Sequence, residues 1–391
     1  MKKLLLILLS MFCLLSLTAC GGSDDAVTSD DGSIVIKLGC SGPLTGDAKA
    51  YGEAVKNAAQ LAVDEINASD SKIKFDFNMQ DDAHKVEQAA TAYSTLYDWG
   101  MQVSLFTVTS APGAAVASNY DEDKIFALTP SGSATDLIYV GDKNFKGNFQ
   151  MCFTDPNQGV ASADYIAENF KDAKVAIIYK SDDVYSSGIY EKFLEEAKVK
   201  NINVVGDEKQ RSFTDDSDTE FTVQLGAARD AGADLVFMPI YYQPSSLILD
   251  QANKMNYSPV FFGVDGMDGI LELDKFDKSL AEGVYLLTPF SATSTDETTA
   301  HFVNAYKAAY GEIPNQFAAD GYDSVYAIHQ ALENIGVTAD YDFGNLYDDM
   351  IKQFTTMTFN GLTGTSMTWA ENGEVKKAPE AFIIKDGVYV K

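Results

Sequence analysis

The sequence has few cysteines and histidines and lacks the motifs of common enzyme active sites. Its 391 residues include four cysteines and three histidines. It contains no G-x-S-x-G sequence, no Walker-type phosphate loop and no C-x-x-C pair, and the glycines of 263–269 do not follow the dinucleotide-binding pattern. These absences argue against hydrolases, nucleotide-dependent enzymes and thiol oxidoreductases. We therefore expect a protein without catalytic residues and without a cofactor.

A metal-binding pattern is not evident either. His84 follows Asp81 and Asp82 in a predicted strand-to-helix turn, where carboxylates commonly cap the next helix. A metal site there is the alternative, but one histidine beside two adjacent aspartates lacks the usual ligand spacing. The acidic run 215–220 has no central glycine of a calcium loop, and we interpret it as a solvated loop.

Basic residues are scarce, since 29 Lys and Arg stand against 57 Asp and Glu, for a net charge of −28. This charge repels nucleic acid and anionic lipid surfaces, so neither is expected as a partner. The chain is longer than one hydrophobic core usually supports, which predicts two domains.

The N-terminus contains the longest apolar run of the sequence. Two lysines precede the run 4–17, and the sequence L-T-A leads from there to Cys20. A basic start, a short apolar core and small residues before a cleavage point are typical of an export signal. With Cys20 in that place, the segment resembles a bacterial lipobox, which implies that residues 1–19 are removed and that Cys20 carries diacylglycerol. An uncleaved anchor helix is the alternative, although a membrane span needs about 20 apolar residues.

Residues 20–33 are rich in Gly, Ser and Asp, which predicts a flexible tether. The mature protein is therefore expected outside the cytoplasmic membrane, held there by the lipid on Cys20.

Cys13 leaves with the signal. Cys40 and Cys152 lie in apolar, strand-like stretches, where buried free thiols are expected. A disulfide between these two remains the alternative.

From residue 34 onward, strand-like and helix-like segments alternate in two series. The predicted strands are 34–40, 73–79, 103–108 and 125–128 in the first series, and 175–179, 204–205, 235–238, 260–262 and 284–287 in the second. The predicted helices are 51–67, 85–99 and 112–121 in the first series, and 157–169, 187–200, 221–231 and 244–255 in the second. This alternation predicts an α/β protein with parallel sheets and right-handed crossovers. A third, helical block (298–310, 317–335 and 343–354) and a β-rich tail (364–369, 381–384 and 387–390) are expected to complete the two domains.

Polar and aromatic clusters follow the predicted strands, where open parallel sheets bind their ligands. These clusters are 40–46, 107–111, 129–135, 181–185, 241–244 and 263–266. Hydroxyl groups and free backbone N–H groups at helix starts suit a carboxylate, whereas the carboxylate of Asp265 suits an ammonium group.

Several of these motifs, in order along nearly the whole chain from Ile34 to Tyr389, resemble the leucine/isoleucine/valine-binding proteins of ABC importers. The motifs are Ser41-Gly42-Pro43, Tyr51-Gly52, AVDEIN at 62–67, Thr129-Pro130-Ser131, Gly263-Val264-Asp265-Gly266 and GYDSVY at 321–326. The resemblance implies the type I periplasmic binding protein fold, with two Rossmann-like doubly wound lobes joined by a three-strand hinge. It places lobe 1 at 34–154 plus 289–361 and lobe 2 at 155–288 plus 362–391.

The resemblance also assigns ligand-binding roles residue by residue. The apolar part of the ligand is implied to contact four rings, those of Tyr51, Tyr185, Tyr242 (Tyr241 if the register shifts by one) and Phe317. Its carboxylate is implied to bind Ser110, Ser131 and Ser133, and its α-ammonium group Asp265.

The function that the resemblance implies is that of an extracytoplasmic receptor of an ABC importer. Such a receptor, expected as a monomer, binds an amino acid by closure of its lobes and presents it to a membrane permease. A branched-chain or other aliphatic amino acid is favoured. Asp265 stands where the best-known members have Glu, so an aromatic amino acid or a small aromatic acid is an alternative ligand. A sensory receptor that feeds a signalling partner is the alternative to import.

Overall fold

The structure, a computed structural model, describes residues 27–28, 32–214 and 219–391. The predicted signal peptide, Cys20 and most of the predicted tether lie outside the described residues, as do residues 215–218 of the acidic run. Within the described ranges, no helix is both long and apolar enough to cross a membrane.

The first sheet has six strands, in the order β1-β2-β4-β5-β8 with β3 beside β2, and only β1 is antiparallel. The strands of this part of the chain are β1 (Val27–Thr28), β2 (Ile34–Gly42), β3 (Ile73–Asp81), β4 (Val103–Thr107), β5 (Phe126–Thr129), the hairpin strands β6 (Tyr139–Val140) and β7 (Lys143–Asn144), and β8 (Asn148–Gln150). The helices are α1 (Lys49–Ala68), α2 (Val86–Trp99) and α3 (Ser110–Glu122). Every residue of β4 and β5 is buried, as is typical of parallel strands covered on both faces.

The second sheet has seven strands in the order β11-β9-β13-β14-β15-β16-β17, of which the first five are parallel. The strands of this part are β9 (Lys174–Ile177), the separate pair β10 (Tyr179–Lys180) and β12 (Ser212–Phe213), β11 (Asn203–Val204), β13 (Leu235–Met238), β14 (Val260–Gly263), β15 (Tyr285–Thr288), β16 (Glu380–Lys385) and β17 (Val388–Val390). The helices are α4 (Asp155–Asn169), α5 (Val184–Val199), α6 (Thr222–Asp230) and α7 (Tyr242–Lys254). The predicted α/β fold with two parallel sheets is confirmed.

The remaining helices are α8 (Glu297–Tyr310), α9 (Gln316–Ile335) and α10 (Leu346–Phe354). α9 packs against α1, and α10 packs against β5 through Phe354, whose ring lies 4.6 Å from that of Phe126. Trp369, further along the chain, donates its indole N–H to the carbonyl of Gln150 in β8 (2.8 Å). Because β16 and β17 then join the second sheet, the chain passes between the two sheets three times.

A buried ion pair lies beside two of these passages. The ammonium group of Lys377 binds Asp320 of α9 (2.6 Å), the hydroxyl of Thr363 (2.7 Å) and the carbonyl of Met151, just after β8 (3.1 Å). The Lys377 and Asp320 side chains are only 2% and 3% exposed. The pair therefore connects a helix of the first sheet to the segments that lead to the second.

The helices α3 and α7 begin earlier than the sequence pattern predicts because a proline occupies the first turn rather than the first position. α3 begins at Ser110 and α7 at Tyr242, two residues before Pro112 and Pro244. The N–H groups of a first turn have no intrahelical partner, so proline is tolerated throughout it. The predicted strand 364–369 is wrong as a strand, since 359–375 makes only the isolated bridges Phe359–Met367 and Trp369–Val375.

Candidate ligand-binding site

A small cavity lies between the two sheets, at the carboxyl ends of their strands. Its lining comes from both sides of the molecule and consists of Tyr51, Val108, Thr109, Ser110, Ser131 and Phe317 from the first and Tyr185, Tyr241, Asp265 and Gly266 from the second. Its volume is about 10 Å³, which accommodates one water molecule. Six of the eight residues predicted from the resemblance therefore line one cavity.

One side of the cavity is suited to an anion. Ser110 is the first residue of α3, and Thr109 occupies the preceding cap position, so the unpaired N–H groups and positive dipole end of a 13-residue helix lie beside the cavity. The Ser110 Oγ accepts the N–H groups of Ser133 (3.2 Å) and Ala134 (3.1 Å). Ser131 instead donates its hydroxyl proton to the carbonyl of Val108 (2.6 Å), which leaves its oxygen with acceptor capacity only.

Aromatic rings form the apolar wall of the cavity. The rings of Tyr185 and Tyr241 are stacked with centroids 4.6 Å apart. Tyr51 contacts Phe317 at 4.5 Å and Tyr241 at 5.4 Å. His84 packs edge-on against Tyr241 and shares a 2.9 Å hydrogen bond with the Thr109 hydroxyl. These rings form an aromatic cage, which offers a large apolar contact area with few polar atoms.

Tyr241, and not Tyr242, faces the cavity. Tyr241 is the N-cap of α7, whereas Tyr242 is its first helical residue. The Tyr242 hydroxyl points away from the cavity and donates to the carbonyl of Asp47 (2.7 Å). Of the two tyrosines that the resemblance leaves open, Tyr241 is the one that lines the cavity.

Asp265 is the acidic group of the cavity and is 3% exposed. Its carboxylate accepts the hydroxyl of Tyr185 (2.5 Å), while its N–H donates to the side-chain oxygen of Gln158 (3.1 Å) and its carbonyl accepts from Gln316 (3.2 Å). Burial raises the pKa of Asp265 to about 7, and the hydrogen bond from Tyr185 opposes this rise. Asp265 is thus a rigidly held carboxyl group whose charge is poorly compensated.

Ser133 and Asp155 form a second polar group behind the lining residues. Ser133 is fully buried, and its hydroxyl lies next to the carboxyl group of Asp155. Its carbonyl accepts the N–H of Asp155 (2.9 Å), which is 2% exposed. Burial raises the pKa of Asp155 well above its ordinary range; the nearby Ser133 hydroxyl opposes the rise and the Asp265 charge adds to it.

Hydrogen bonds also join the two sides of the cavity. The hydroxyl of Tyr51 in α1 donates to the carbonyl of Gly266, after β14, and accepts the N–H of Tyr242 (3.2 Å). The N–H of Gln316 in α9 donates to the carboxylate of Asp268 (3.0 Å). These contacts connect the two sides of the molecule beside the cavity.

Two cysteines lie in the described part of the chain. Cys40 and Cys152 are separate, buried free thiols, and burial raises the pKa of both. In the part of the chain that the structure describes, no three His, Cys, Asp or Glu side chains are grouped as metal ligands.

Comparison with known proteins identifies the family. Residues 35–384 match the family model described as periplasmic binding protein. The chain is 28% identical over 309 residues to a Leu/Ile/Val-binding protein of Rhizobium johnstonii, covering 78% of this chain and 81% of that protein. It is 24% identical over 306 residues to the leucine-, isoleucine-, valine-, threonine- and alanine-binding protein of Pseudomonas aeruginosa, covering 77% of this chain and 79% of that protein.

Two solved structures have the same fold. The branched-chain amino acid transporter substrate-binding protein LivJ of Streptococcus pneumoniae, in complex with isoleucine, superimposes with a TM-score of 0.79 at 25% identity and covers 91% of this chain and 98% of that chain. A solute-binding protein of an ABC transporter from R. palustris, in complex with benzoate, has a TM-score of 0.80 at 18% identity, with 91% and 95% covered.

These matches confirm the predicted resemblance, and they confirm a solute-binding protein rather than an enzyme. The family also implies a location outside the cytoplasm. The chain belongs to the periplasmic binding protein family and, within it, is similar to the leucine/isoleucine/valine-binding proteins.

Proposed function

We propose that the protein is the solute-binding receptor of an ABC importer and that its ligand is an amino acid, with a branched-chain or other aliphatic side chain favoured. One observation carries the proposal: an anion-binding helix start and a buried carboxyl group lie in the same cavity as an aromatic cage. An α-amino acid has one group suited to each of these three parts.

The carboxylate of the ligand would bind the N–H groups at the start of α3 and the hydroxyls of Ser110 and Ser133. Its ammonium group would bind Asp265, and its side chain would contact the rings of Tyr51, Tyr241 and Phe317. Each charge-assisted hydrogen bond of this kind contributes about 1.5–3 kcal/mol. Several such contacts are enough for micromolar or tighter binding after the cost of ordering the ligand.

The polar contacts come from two lobes, each built on one sheet, that would separate to admit the ligand and close around it. The proposed lobes are 34–154 plus 289–361 and 155–288 plus 362–391, as the resemblance implies. The hydrogen bond between Trp369 and Gln150 supports moving the third crossing to 377–379, so that 362–376 belongs to lobe 1. Because the open form lacks contacts from one lobe, the ligand favours closure.

The proposal also covers the export of the protein and its attachment to the membrane. Export, removal of residues 1–19 and lipid on Cys20 would hold the protein, as a monomer, at the outer face of the cytoplasmic membrane. There it would present its ligand to a membrane permease. The L-T-A-Cys20 sequence behind a basic and apolar segment supports this part of the proposal.

A small aromatic carboxylate is the second candidate ligand. The stacked rings of Tyr185 and Tyr241 support it, and the same fold binds benzoate in the R. palustris protein. Such a ligand would leave Asp265 without a cation, which is why an amino acid is favoured.

Titration calorimetry with a set of ligands tests the proposal. The protein is first freed of co-purified ligand by unfolding and refolding, and is then titrated with L-leucine, L-isoleucine, L-valine, L-phenylalanine and benzoate. We expect micromolar or tighter binding of at least one aliphatic amino acid, with a smaller radius of gyration by X-ray scattering in the bound form. Binding of benzoate with no response to any of the four amino acids would contradict the amino-acid proposal.

A further inference from the structure

His84 is a half-buried residue to which neither the fold nor the proposed ligand contacts give a role. It lies in the turn between β3 and α2, where its Nδ1 atom is 2.9 Å from the hydroxyl oxygen of Thr109. Its ring also packs edge-on against that of Tyr241, with centroids 5.4 Å apart. Thr109 and Tyr241 line the cavity from opposite sides. His84 therefore contacts both the anion-binding side of the site and its aromatic wall.

The backbone of the turn that carries His84 is strained. Ala83 and His84 are both left-handed, with φ of 48° and 59°, a conformation that a Cβ atom disfavours. Two adjacent aspartates hold it: the N–H of Ala83 donates to the Asp81 carboxylate (2.8 Å), and the N–H of His84 donates to the Asp82 carboxylate (2.9 Å). Strained backbone of this kind clusters at functional sites. The acidic pair thus fixes the backbone from which the His84 ring reaches Thr109.

Thr109 occupies the N-cap position of α3, where a threonine hydroxyl ordinarily accepts an N–H of the second or third helical residue. In the described part of the chain, its hydroxyl makes no such bond. The third helical residue is Pro112, which has no N–H group to offer. The Thr109 hydroxyl is bonded to His84 instead. The N–H groups at the start of α3 are therefore not taken up by their own N-cap side chain.

We infer that His84 is a positioning residue of the ligand site, whose Nδ1–H donates to the Thr109 oxygen so that the Thr109 hydroxyl proton and the N–H groups of α3 stay available to the ligand carboxylate; this inference rests on the proposed function, in which that carboxylate binds at the start of α3. A threonine hydroxyl has one proton and two lone pairs. When the imidazole donates to the oxygen, the proton can bond an anion. When the imidazole accepts instead, the proton is used up.

The contact with Tyr241 connects this arrangement to the other side of the cavity. The Tyr241 ring stacks on that of Tyr185, whose hydroxyl donates to Asp265 (2.5 Å). A continuous series of contacts therefore runs from Thr109 through His84 to the acidic group of the site. Because His84 and Tyr241 belong to different proposed lobes, separation of the lobes would break the series at this contact. The imidazole is thus held from two sides only while the lobes are together.

Calorimetry with L-leucine tests the hydrogen bond through two replacements of His84. His84→Gly removes the ring and accepts the left-handed backbone, and we expect it to bind L-leucine about 5- to 50-fold more weakly than the wild type. His84→Asn also tolerates this backbone, and its amide nitrogen is as many bonds from the backbone as Nδ1. It should therefore restore the affinity to within about threefold of the wild type.

Ala83→Gly is the matched control for these variants. It places a glycine in the same turn and leaves the hydrogen bond to Thr109 in place, so the affinity should change less than about twofold. Near-ultraviolet circular dichroism verifies that each variant is folded.

Thr109→Val keeps the shape of the side chain and removes its hydroxyl. It should weaken binding by a factor similar to that of His84→Gly. Adding His84→Gly to it should cost less than about threefold more, because both changes remove the same interaction.

Nitrogen NMR reports the direction of the hydrogen bond. In the long-range ¹H–¹⁵N spectrum of the wild type with L-leucine at pH 8, where histidine is ordinarily neutral, the Nδ1 atom of His84 should carry the proton. The chain has three histidines, so this signal is assigned by its loss in His84→Asn.

The outcomes separate the role of His84 from the proposed function. If the wild type binds none of the four amino acids and no benzoate, both fail. If benzoate alone binds, the amino-acid proposal fails, and the same variants titrated with benzoate should show the same losses. If the wild type binds L-leucine and His84→Gly binds it equally well, the proposed function stands and the role of His84 is wrong. Failure of His84→Asn to restore binding, losses that multiply in the double variant, or an unprotonated Nδ1 in the complex would each overturn that role as well.

Discussion

Replacing Asp265 with Asn should stabilise the free protein at alkaline pH while it nearly abolishes binding. Burial raises the pKa of Asp265 from its ordinary value of 3.8 to about 7. The folded protein therefore holds this proton more tightly than the unfolded chain does, and its stability falls as the pH rises from about 4 to about 7. A rise of roughly three pKa units corresponds to about 4 kcal/mol above pH 7. Asn has no charge to bury, so the variant should gain up to about 4 kcal/mol at pH 8 and little at pH 4.5.

The same substitution should weaken ligand binding, although it stabilises the free protein. In the closed cavity, the ammonium group of an amino acid would lose a carboxylate with which it is buried. Removing one partner of a buried ion pair costs about 3–5 kcal/mol, which is several-hundred-fold or more in affinity. The Tyr185 hydroxyl retains an acceptor in the Asn side-chain oxygen, so the shape of the site should be preserved.

Urea unfolding at pH 4.5 and pH 8, together with calorimetry at pH 8, measures both effects. The control Asp136→Asn alters an exposed carboxylate and should leave both the pH difference and the affinity nearly unchanged. Undiminished binding by Asp265→Asn would refute the ammonium contact, and a simple carboxylate would then replace the amino acid as the favoured ligand. If the wild type and Asp265→Asn differ in stability by the same amount at both pH values, the carboxyl group of Asp265 is not buried with an uncompensated charge.

Three further perturbations have defined outcomes. Lys377→Met should lower the free energy of unfolding by about 3–5 kcal/mol in urea, because the charge of Asp320 remains buried without its partner; an unchanged midpoint would show that the pair is not structural. Tyr51→Phe removes the hydrogen bonds to Gly266 and Tyr242, so X-ray scattering of the free variant should give a larger radius of gyration than that of the wild type. Cys20→Ala should release the protein from the membrane fraction or leave the precursor uncleaved, with ligand affinity unaltered; wild-type protein that is soluble and lacks an acyl mass on its N-terminal peptide would contradict the lipid anchor.

The architecture could be predicted from the sequence because the signals for it are either short local patterns or motifs that occur in the same order as in the family. Buried apolar runs such as 235–238 and the ordered motifs from Ile34 to Tyr389 do not depend on knowing the packing. Tyr241 and Tyr242 could not be told apart, since which of two adjacent tyrosines caps α7 depends on how Pro244 fits into the first turn.

Long-range contacts were inaccessible for a different reason. Lys377 and Asp320 are 57 residues apart in the chain, and nothing in either neighbourhood distinguishes a buried partner from a surface charge. The arrangement of residues 364–369 was inaccessible likewise. Their alternating pattern suits a strand, yet in the fold this segment lies beside β8 without joining its sheet.

The cavity of about 10 Å³ constrains how fast ligand can be exchanged. An amino acid is far larger than a space that holds one water, so the proposed lobes must separate to admit it and must close around it less tightly than in this structure. Every arrival and every departure then waits for the lobes to separate. The dissociation rate then cannot exceed the opening rate, and the apparent affinity is reduced by the fraction of molecules that are open at a given moment. Stronger hydrogen bonds between the two sides of the cavity, such as those of Tyr51, would retain the ligand longer. They would also slow its release to the permease. In such a receptor, delivery of the ligand would require a partner that separates the lobes. The residence time of the ligand would then depend on the rate of lobe opening as well as on the contacts of the ligand.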